Sequence, residues 1–456
     1  MASKNDLIDK ILVELRRAQI EPWMPPSRGK VRELRLPPSL PLNDGRQMSA
    51  TSELLATVSA YAKMILSEEP TLRSRLKNAE LYELAARSFG DALQSVDLDK
   101  TNEELRNTLR KDVDGKLRET IERHRRAIQL TLGCHLIDGD AAYPIVIGPV
   151  VFETREQWCS RTETEGKLTA VTARRLMAAW EGQVLRKRKA TNDSINEKYI
   201  EDTIGNCPVV CTVSTDGLSS KMIKEKGLLA ARMAMTAVSL IWTSPSQGLS
   251  WMNLRYDGQT FHRHYVLFRD DGYAGSSSGI SQMPSGRWAD GEMISYLKSY
   301  QWLFDQVGEA LNNYVRPSEI AARPTTMNAL FLSLWWFYDA CREQSDQMAA
   351  TKFAASMDAI SGGKKAKGIM NFIEARLGVG KDEPIMKDGR TVRKVVTEVY
   401  DAGRSRMVHG SSDSFAHDWS DVRLAAEAVG RHCLTAGIDW LACNPESDDI
   451  KALSTP

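Results

Sequence analysis

Strand-like segments occur in only one stretch of this chain, and helical spacing holds on both sides of it. That distribution constrains the fold more than any other feature. Asp6 to Ile20 carries Leu7, Ile8, Ile11, Leu12 and Leu15 on one helical face. Pro22, Pro25, Pro26, Pro37, Pro38 and Pro41 then forbid a long helix, so residues 21–45 read as an extended arm. From Ser49 helical spacing resumes, and Arg106 to Leu132 reads as one long charged helix with Leu109, Val113, Leu117, Ile121 and Ile128 along it.

The pattern changes at Gly133. Tyr143–Phe152 is β-like, with Pro144 and Pro149 marking an edge strand or bend. Thr169–Arg188 reads as a helix, Pro208–Val213 as a buried strand, and Ser219–Trp242 as a helix. Leu249–Tyr256 and Phe261–Phe268 read as a hairpin about Asp257-Gly258, followed by an exposed Gly/Ser loop over Asp270–Gly286. After Gly291 the segments are again helical: Glu292–Val315, the very apolar Thr325–Asp346, Met348–Ile360, Ala366–Leu377, Thr391–Val408 and Ser420–Leu441, the last with Ser420 as its N-cap. The expected fold class is α+β, mostly α. It has an N-terminal helical region with a Pro-rich arm (1–132), a mixed α/β middle region (133–290) and a C-terminal all-α bundle (291–445).

Charge and cysteine usage narrow the function classes. Sixty Lys and Arg against 59 Asp and Glu exclude a histone-like or generally acidic protein. Seven cysteines in 456 residues are too few for a disulfide scaffold and suit a reducing compartment. Met1–Gln19 has no apolar signal core, and the most apolar stretch, Ala329–Tyr338, is too short to cross a bilayer. A soluble cytoplasmic protein with no membrane association is expected.

The string most informative about chemistry is Tyr400-Asp401-Ala402-Gly403-Arg404-Ser405-Arg406-Met407-Val408-His409-Gly410. It sets two guanidiniums ahead of a histidine at a helix end. Arginine holds phosphate through a permanently charged fork, and histidine exchanges protons near neutral pH. Those groups suffice for RNA cleavage without metal: the 2′-hydroxyl attacks phosphorus, His moves protons, and Arg stabilises the phosphoryl oxygens. Cations meeting the dipole of a helix C-terminus account for the same charges without any chemistry.

This stretch and the helices around it resemble the HEPN family, in particular the Apea-like HEPN domains of bacterial proteins. The family motif is Arg, four to six residues, then His, often followed by Gly. Arg404 and His409 match it with four residues between, and Trp336-Phe337-Tyr338-Asp339-Ala340-Cys341 looks like the end of the family's early helix. The resemblance covers Pro324 to Ala442. Where the family has Asn, Asp or His after the motif Arg, this chain has Ser405, and Arg406 competes with Arg404 as the phosphate ligand. The resemblance implies a metal-independent endoribonuclease with no cofactor, leaving a 2′,3′-cyclic phosphate. It also implies a homodimer through the bundle with one composite site, and roles in bacterial antiviral defence, abortive infection or toxin-type growth arrest. RNA is then a partner, as is a phage-derived trigger or regulatory protein acting through the first two regions. Some members have lost the motif and serve as dimerisation or adaptor modules. Asp339 and Glu343, on the early helix, are candidates to hold the motif Arg, or are plain surface charge.

Other patterns carry less. Gly275-Ser276-Ser277-Ser278-Gly279 matches G-x-S-x-G without its strand–elbow–helix setting. Cys207, Cys211, His262 and His264 make an implausible zinc set, since the cysteines have the wrong spacing. Glu165-Gly166-Lys167 lacks the upstream glycine of a P-loop. Arg186-Lys187-Arg188-Lys189 and Lys364-Lys365-Ala366-Lys367 are either solvated faces or tracks for a nucleic-acid backbone.

Overall fold

The structure is a computed structural model that describes residues 3–20, 38–124, 126–137, 142–258, 261–268, 274–281, 292–317, 321–405 and 417–455. The fold is α+β and mostly helical, with a five-stranded antiparallel sheet in the middle region. The chain forms two compact units: Met1–Ile128 with Asp216–Glu225, and Gln129–Thr215 with Lys226–Pro456.

In the first unit, α1 (Lys4–Ile20) precedes a short hairpin of β1 (Ser39–Pro41) and β2 (Gln47–Ser49). The remaining helices are α2 (Ser52–Glu68), α3 (Asn78–Leu93) and α4 (Asn102–His124). Most of the proline arm lies outside the described residues. Thr51 caps α2 by accepting the Leu54 N–H, which satisfies a donor the helix leaves unpaired. The apolar stripes of α1, α2 and α4 meet α3 in a core that includes Ile8, Ile11, Leu54, Tyr61, Phe89 and Val113. The helix expected to reach Leu132 stops at His124, and β3 (Arg126–His135) takes over. Ile128, Leu130 and Leu132 recur at a spacing of two. Ile128 satisfied a helical stripe only by coincidence, and it is exposed.

The second unit begins with the sheet. The hairpin of β4 (Ile145–Ile147) and β5 (Val150–Thr154) turns at Gly148-Pro149, and β4 is an edge strand, just before which Pro144 costs no ladder hydrogen bond. Helices α5 (Arg155–Thr164), α6 (Ala170–Trp180) and α7 (Asn192–Ile204) pack on the sheet around Trp158, Leu176, Ile204 and Val210. Helix α6 ends eight residues before the expected Arg188: Gly182 takes φ +80°, and Arg188 instead bonds back to Glu197 on α7. Next come β6 (Val209–Leu218), α8 (Ser220–Ser239), α9 (Pro245–Trp251) and β7 (Asn253–Leu254). The sheet order is β4-β5-β6-β3-β7.

The hairpin expected about Asp257-Gly258 does not form. Strand β7 pairs with β3, while β8 (Phe261–Phe268) pairs with β9 (Ala274–Ser281) in register from Phe261↔Ser281 to Phe268↔Ala274. Residues 274–281 of the expected Gly/Ser loop are therefore a strand. Their side chains carry no alternation of polarity, so only backbone pairing defines them. The other parts of that loop are outside the described residues.

Ten residues further on the bundle begins with α10 (Glu292–Ser299) and α11 (Gln301–Val315), which break apart at Tyr300. It continues with α12 (Pro324–Arg342), α13 (Asp346–Ile360), α14 (Lys365–Leu377), α15 (Val392–Val396), the π-helical α16 (Thr397–Ser405) and α17 (Ser420–Cys443). Helix α13 is central and almost wholly buried. Its alanines let neighbouring helices approach closely, and Gly430 and Gly437 of α17 face Phe353 and Ile360 on it. Ser420 is not the N-cap of α17; that position is Trp419, and Asp418 accepts the Ser420 N–H at 2.9 Å.

Apart from Asp216–Glu225, regions 133–290 and 291–445 share this second unit. Buried Glu427 on α17 accepts Ser244 Oγ at 2.9 Å and Ser246 N–H at 2.8 Å at the start of α9. Arg431 donates to the Leu240 carbonyl at 3.1 Å. Lys226 on α8 is buried, donates to the Tyr314 carbonyl at 3.0 Å and lies 4.7 Å from the Tyr314 ring centroid. Burial lowers its pKa to about 8. The unfolded chain therefore still holds this proton between about pH 8 and 10.5 after the folded chain has released it. Stability should rise across that window by roughly 3 kcal/mol from this group. The difference in urea midpoint between the wild type and Lys226→Met should therefore change across that window. A constant difference would show that Lys226 titrates normally.

Candidate functional site

Thr391 caps α15 by accepting the Lys394 N–H, and the chain then widens into the π-turns of α16. π-Helical turns are rare, and they concentrate at functional sites. Here they bring Tyr400 and Arg404 together over α13. Arg404 Nη1 donates to Asp358 Oδ2 at 2.7 Å and to the Tyr400 hydroxyl, and its guanidinium carbon lies 5.0 Å from the Tyr400 ring centroid. The Tyr400 hydroxyl is 3.5 Å from the same carboxylate oxygen. Asp358 Oδ1 accepts the backbone N–H of Lys365, at the first residue of α14, at 2.8 Å.

One buried carboxylate thus orients the motif arginine and fastens the start of the next helix. Asp358 is 8% exposed and Tyr400 6%, whereas the Arg404 side chain keeps 32% of its surface. Nη1 is committed to the protein, and Nη2 and Nε make no hydrogen bond among the described residues, which leaves donors of the fork for an anion. Burial, then the Asp358 charge, push the Tyr400 phenol up, so it stays protonated.

Ser405 closes α16 and is partly exposed. Arg406 and His409 lie outside the described residues. Neither Asp339 nor Glu343 holds Arg404. Glu343 pairs with Lys352 at 2.7 Å, and that hydrogen bond lowers its carboxyl. Asp339 sits near Lys352 and Arg232, with burial raising its pKa. Asp339 lies on α12 and Glu343 is its C-cap, whereas the helix that α16 packs against through Arg404 is α13. Asp358 was missed, although it left a signal: it is the lone acid in the otherwise apolar or small run Phe353-Ala354-Ala355-Ser356-Met357-Asp358-Ala359-Ile360.

The remaining candidates separate. Gly275–Gly279 lies along β9 with no elbow into a helix. Cys207 and Cys211 are buried with raised thiol pKa values, while His262 and His264 are on β8. Among the described residues no three His, Cys, Asp or Glu side chains are grouped to hold a metal ion. Lys167 is paired with Glu165 and with Gln129. Also among the described residues, no helix is long and apolar enough to cross a membrane. No family model, no curated protein and no solved structure matches the chain.

Proposed function

We propose that the chain is a HEPN-like, metal-independent endoribonuclease of bacterial antiviral defence or toxin-type growth arrest. The reading is carried by one observation: the arginine of the Arg404–His409 motif is not a loose surface charge but is fixed by Asp358 and Tyr400 while about a third of its side-chain surface stays exposed. Arg404 stabilises the phosphoryl oxygens as the 2′-hydroxyl attacks, and His409 transfers the proton. The bond from phosphorus to the 5′-oxygen breaks, leaving a 2′,3′-cyclic phosphate and a 5′-hydroxyl. The first unit and the sheet sense a trigger or restrain the nuclease. RNA integrity in cells expressing the wild type or His409→Ala tests this: intact RNA in both, under every trigger tried, defeats it.

A second reading is favoured by the same ion pair. Arg404 bound to a buried aspartate can serve packing alone, as in a non-catalytic dimerisation or adaptor module. Equal stability of Arg404→Ala and wild type would count against that role.

The proposed assembly is a homodimer through the bundle. Phe331, Leu334, Phe337 and Tyr338 are buried within the protomer, but the adjacent Trp335 and Trp336 remain 41% and 42% exposed. Large aromatics exposed side by side suit an interface. Light scattering should give twice the chain mass of 50.9 kDa, and Trp335→Ser with Trp336→Ser should shift it toward one chain. A strict monomer, active as such, rejects the assembly.

A further inference from the structure

The two basic runs of the chain differ in their place in the fold. In the first, Arg188 donates to Glu197 at 3.0 Å and to Asp193 at 3.2 Å, while Arg186, Lys187 and Lys189 are exposed, and none of its residues bonds to Asp358 or Arg404. In the second, Lys364, Lys365 and Lys367 are all exposed, and none takes part in an ion pair among the described residues.

The second run also lies beside the motif arginine. Asp358 binds Arg404 through one oxygen and the Lys365 N–H through the other, so a single carboxylate separates the guanidinium from the first residue of α14. The turn that delivers these lysines is unusual. Gly362 and Gly363 have φ of +83° and +75°, and Lys365 at +61° is the one non-glycine with positive φ among the described residues. A lysine held in the left-handed region is strained, and such strain persists where surrounding contacts fix it, here the Asp358 hydrogen bond. Charge is concentrated locally as well. From Ser361 to Ser405 ten basic side chains stand against six acidic ones, while the rest of the chain has 50 against 53.

We infer that the turn between α13 and α14 binds the phosphodiester backbone of the RNA strand, with Lys364, Lys365 and Lys367 taking phosphates that flank the one held by Arg404. The division of labour follows from the side chains. The arginine fork suits a fixed phosphate at the reacting bond, and flexible ammonium groups suit phosphates that vary in position. The inference rests on the ribonuclease reading for the identity of the strand, but its test measures binding apart from cleavage.

Fluorescence anisotropy of a labelled single-stranded RNA of about 30 nucleotides, of mixed sequence, would be followed with full-length His409→Ala protein across a salt series. Changing Lys364, Lys365 and Lys367 together to Gln should weaken binding roughly 100-fold near 0.1 M salt and flatten the slope of log K against log salt by about 2. Changing the same three to Arg should retain affinity and slope, which separates charge from folding. Changing Arg186, Lys187 and Lys189 to Gln should leave binding within twofold. Binding by the Gln triple within twofold of its parent overturns the inference, as does equal loss from the first run. Failure of the parent to bind RNA at low salt, or tighter binding of the matching DNA strand, also overturns it. Motif-dependent cleavage with lysine-independent binding would leave the nuclease reading standing without this surface. Lysine-dependent binding by a chain that cleaves no RNA would do the reverse.

Discussion

In the proposed ribonuclease, changing His409 to alanine is expected to slow RNA cleavage by about 10²- to 10⁴-fold, the range for loss of a general acid–base group. Arg404→Ala should slow it by about 10²- to 10³-fold, as for loss of one donor to a developing oxyanion. Under the proposed mechanism both effects belong in kcat rather than KM, because its interactions strengthen as charge builds on the phosphoryl oxygens. Arg404→Lys should rescue little, since a point charge cannot keep the Asp358 contact and present a fork at once. Asp358→Ala is expected to lower kcat through the arginine it positions, and Asp358→Asn, which keeps an acceptor, to lower it less. Cleavage should persist in EDTA and leave 2′,3′-cyclic phosphate ends. Wild-type rates in both motif variants would end the catalytic assignment, and activity lost in EDTA and restored by magnesium would end the metal-free mechanism.

The helices that sequence predicts well are those whose apolar positions recur over several turns, such as α1 and α13; the helix expected over Thr325–Asp346 ends at Arg342, and Asp346 opens α13. The segments that mislead are short or ambiguous in period. Ile128 fits both a stripe at seven-residue spacing and an alternation with Leu130 and Leu132, and sheet pairing decides between them. Residues 274–281 look like a loop because glycine and serine carry no polarity pattern, yet β8 supplies a complete ladder partner. The site divides the same way. Arg404 is visible because its motif is local. Its carboxylate is 46 residues away, and proximity in helix spacing alone cannot rank Asp358 above Asp339 or Glu343. Packing of α16 on α13 makes that choice.

Long-range contact also governs the glycines whose replacement should damage the fold. Gly148, at the tip of the β4–β5 hairpin, has φ +56°, and a Cβ there would lie 2.4 Å from the Gly308 carbonyl oxygen and 2.5 Å from the Gly308 Cα, on α11. Real side chains do not approach backbone so closely, and both contacts are backbone atoms that no rotamer change can move aside. Gly148→Ala therefore combines a left-handed backbone cost of about 1–2 kcal/mol with overpacking of about 1–3 kcal/mol. Gly308→Ala meets the reciprocal contact, 2.6 Å from Gly148 N, but gains about 1 kcal/mol of helix propensity in return. Its loss should be the smaller of the two. Gly115, within α4, has nothing within 4 Å of its Cβ position, so Gly115→Ala should stabilise the first unit by about 1 kcal/mol. Urea unfolding of the three full-length variants separates the cases: Gly148→Ala should have the lowest midpoint and Gly115→Ala the highest. A wild-type midpoint for Gly148→Ala would mean that the sheet edge and α11 do not meet at these glycines.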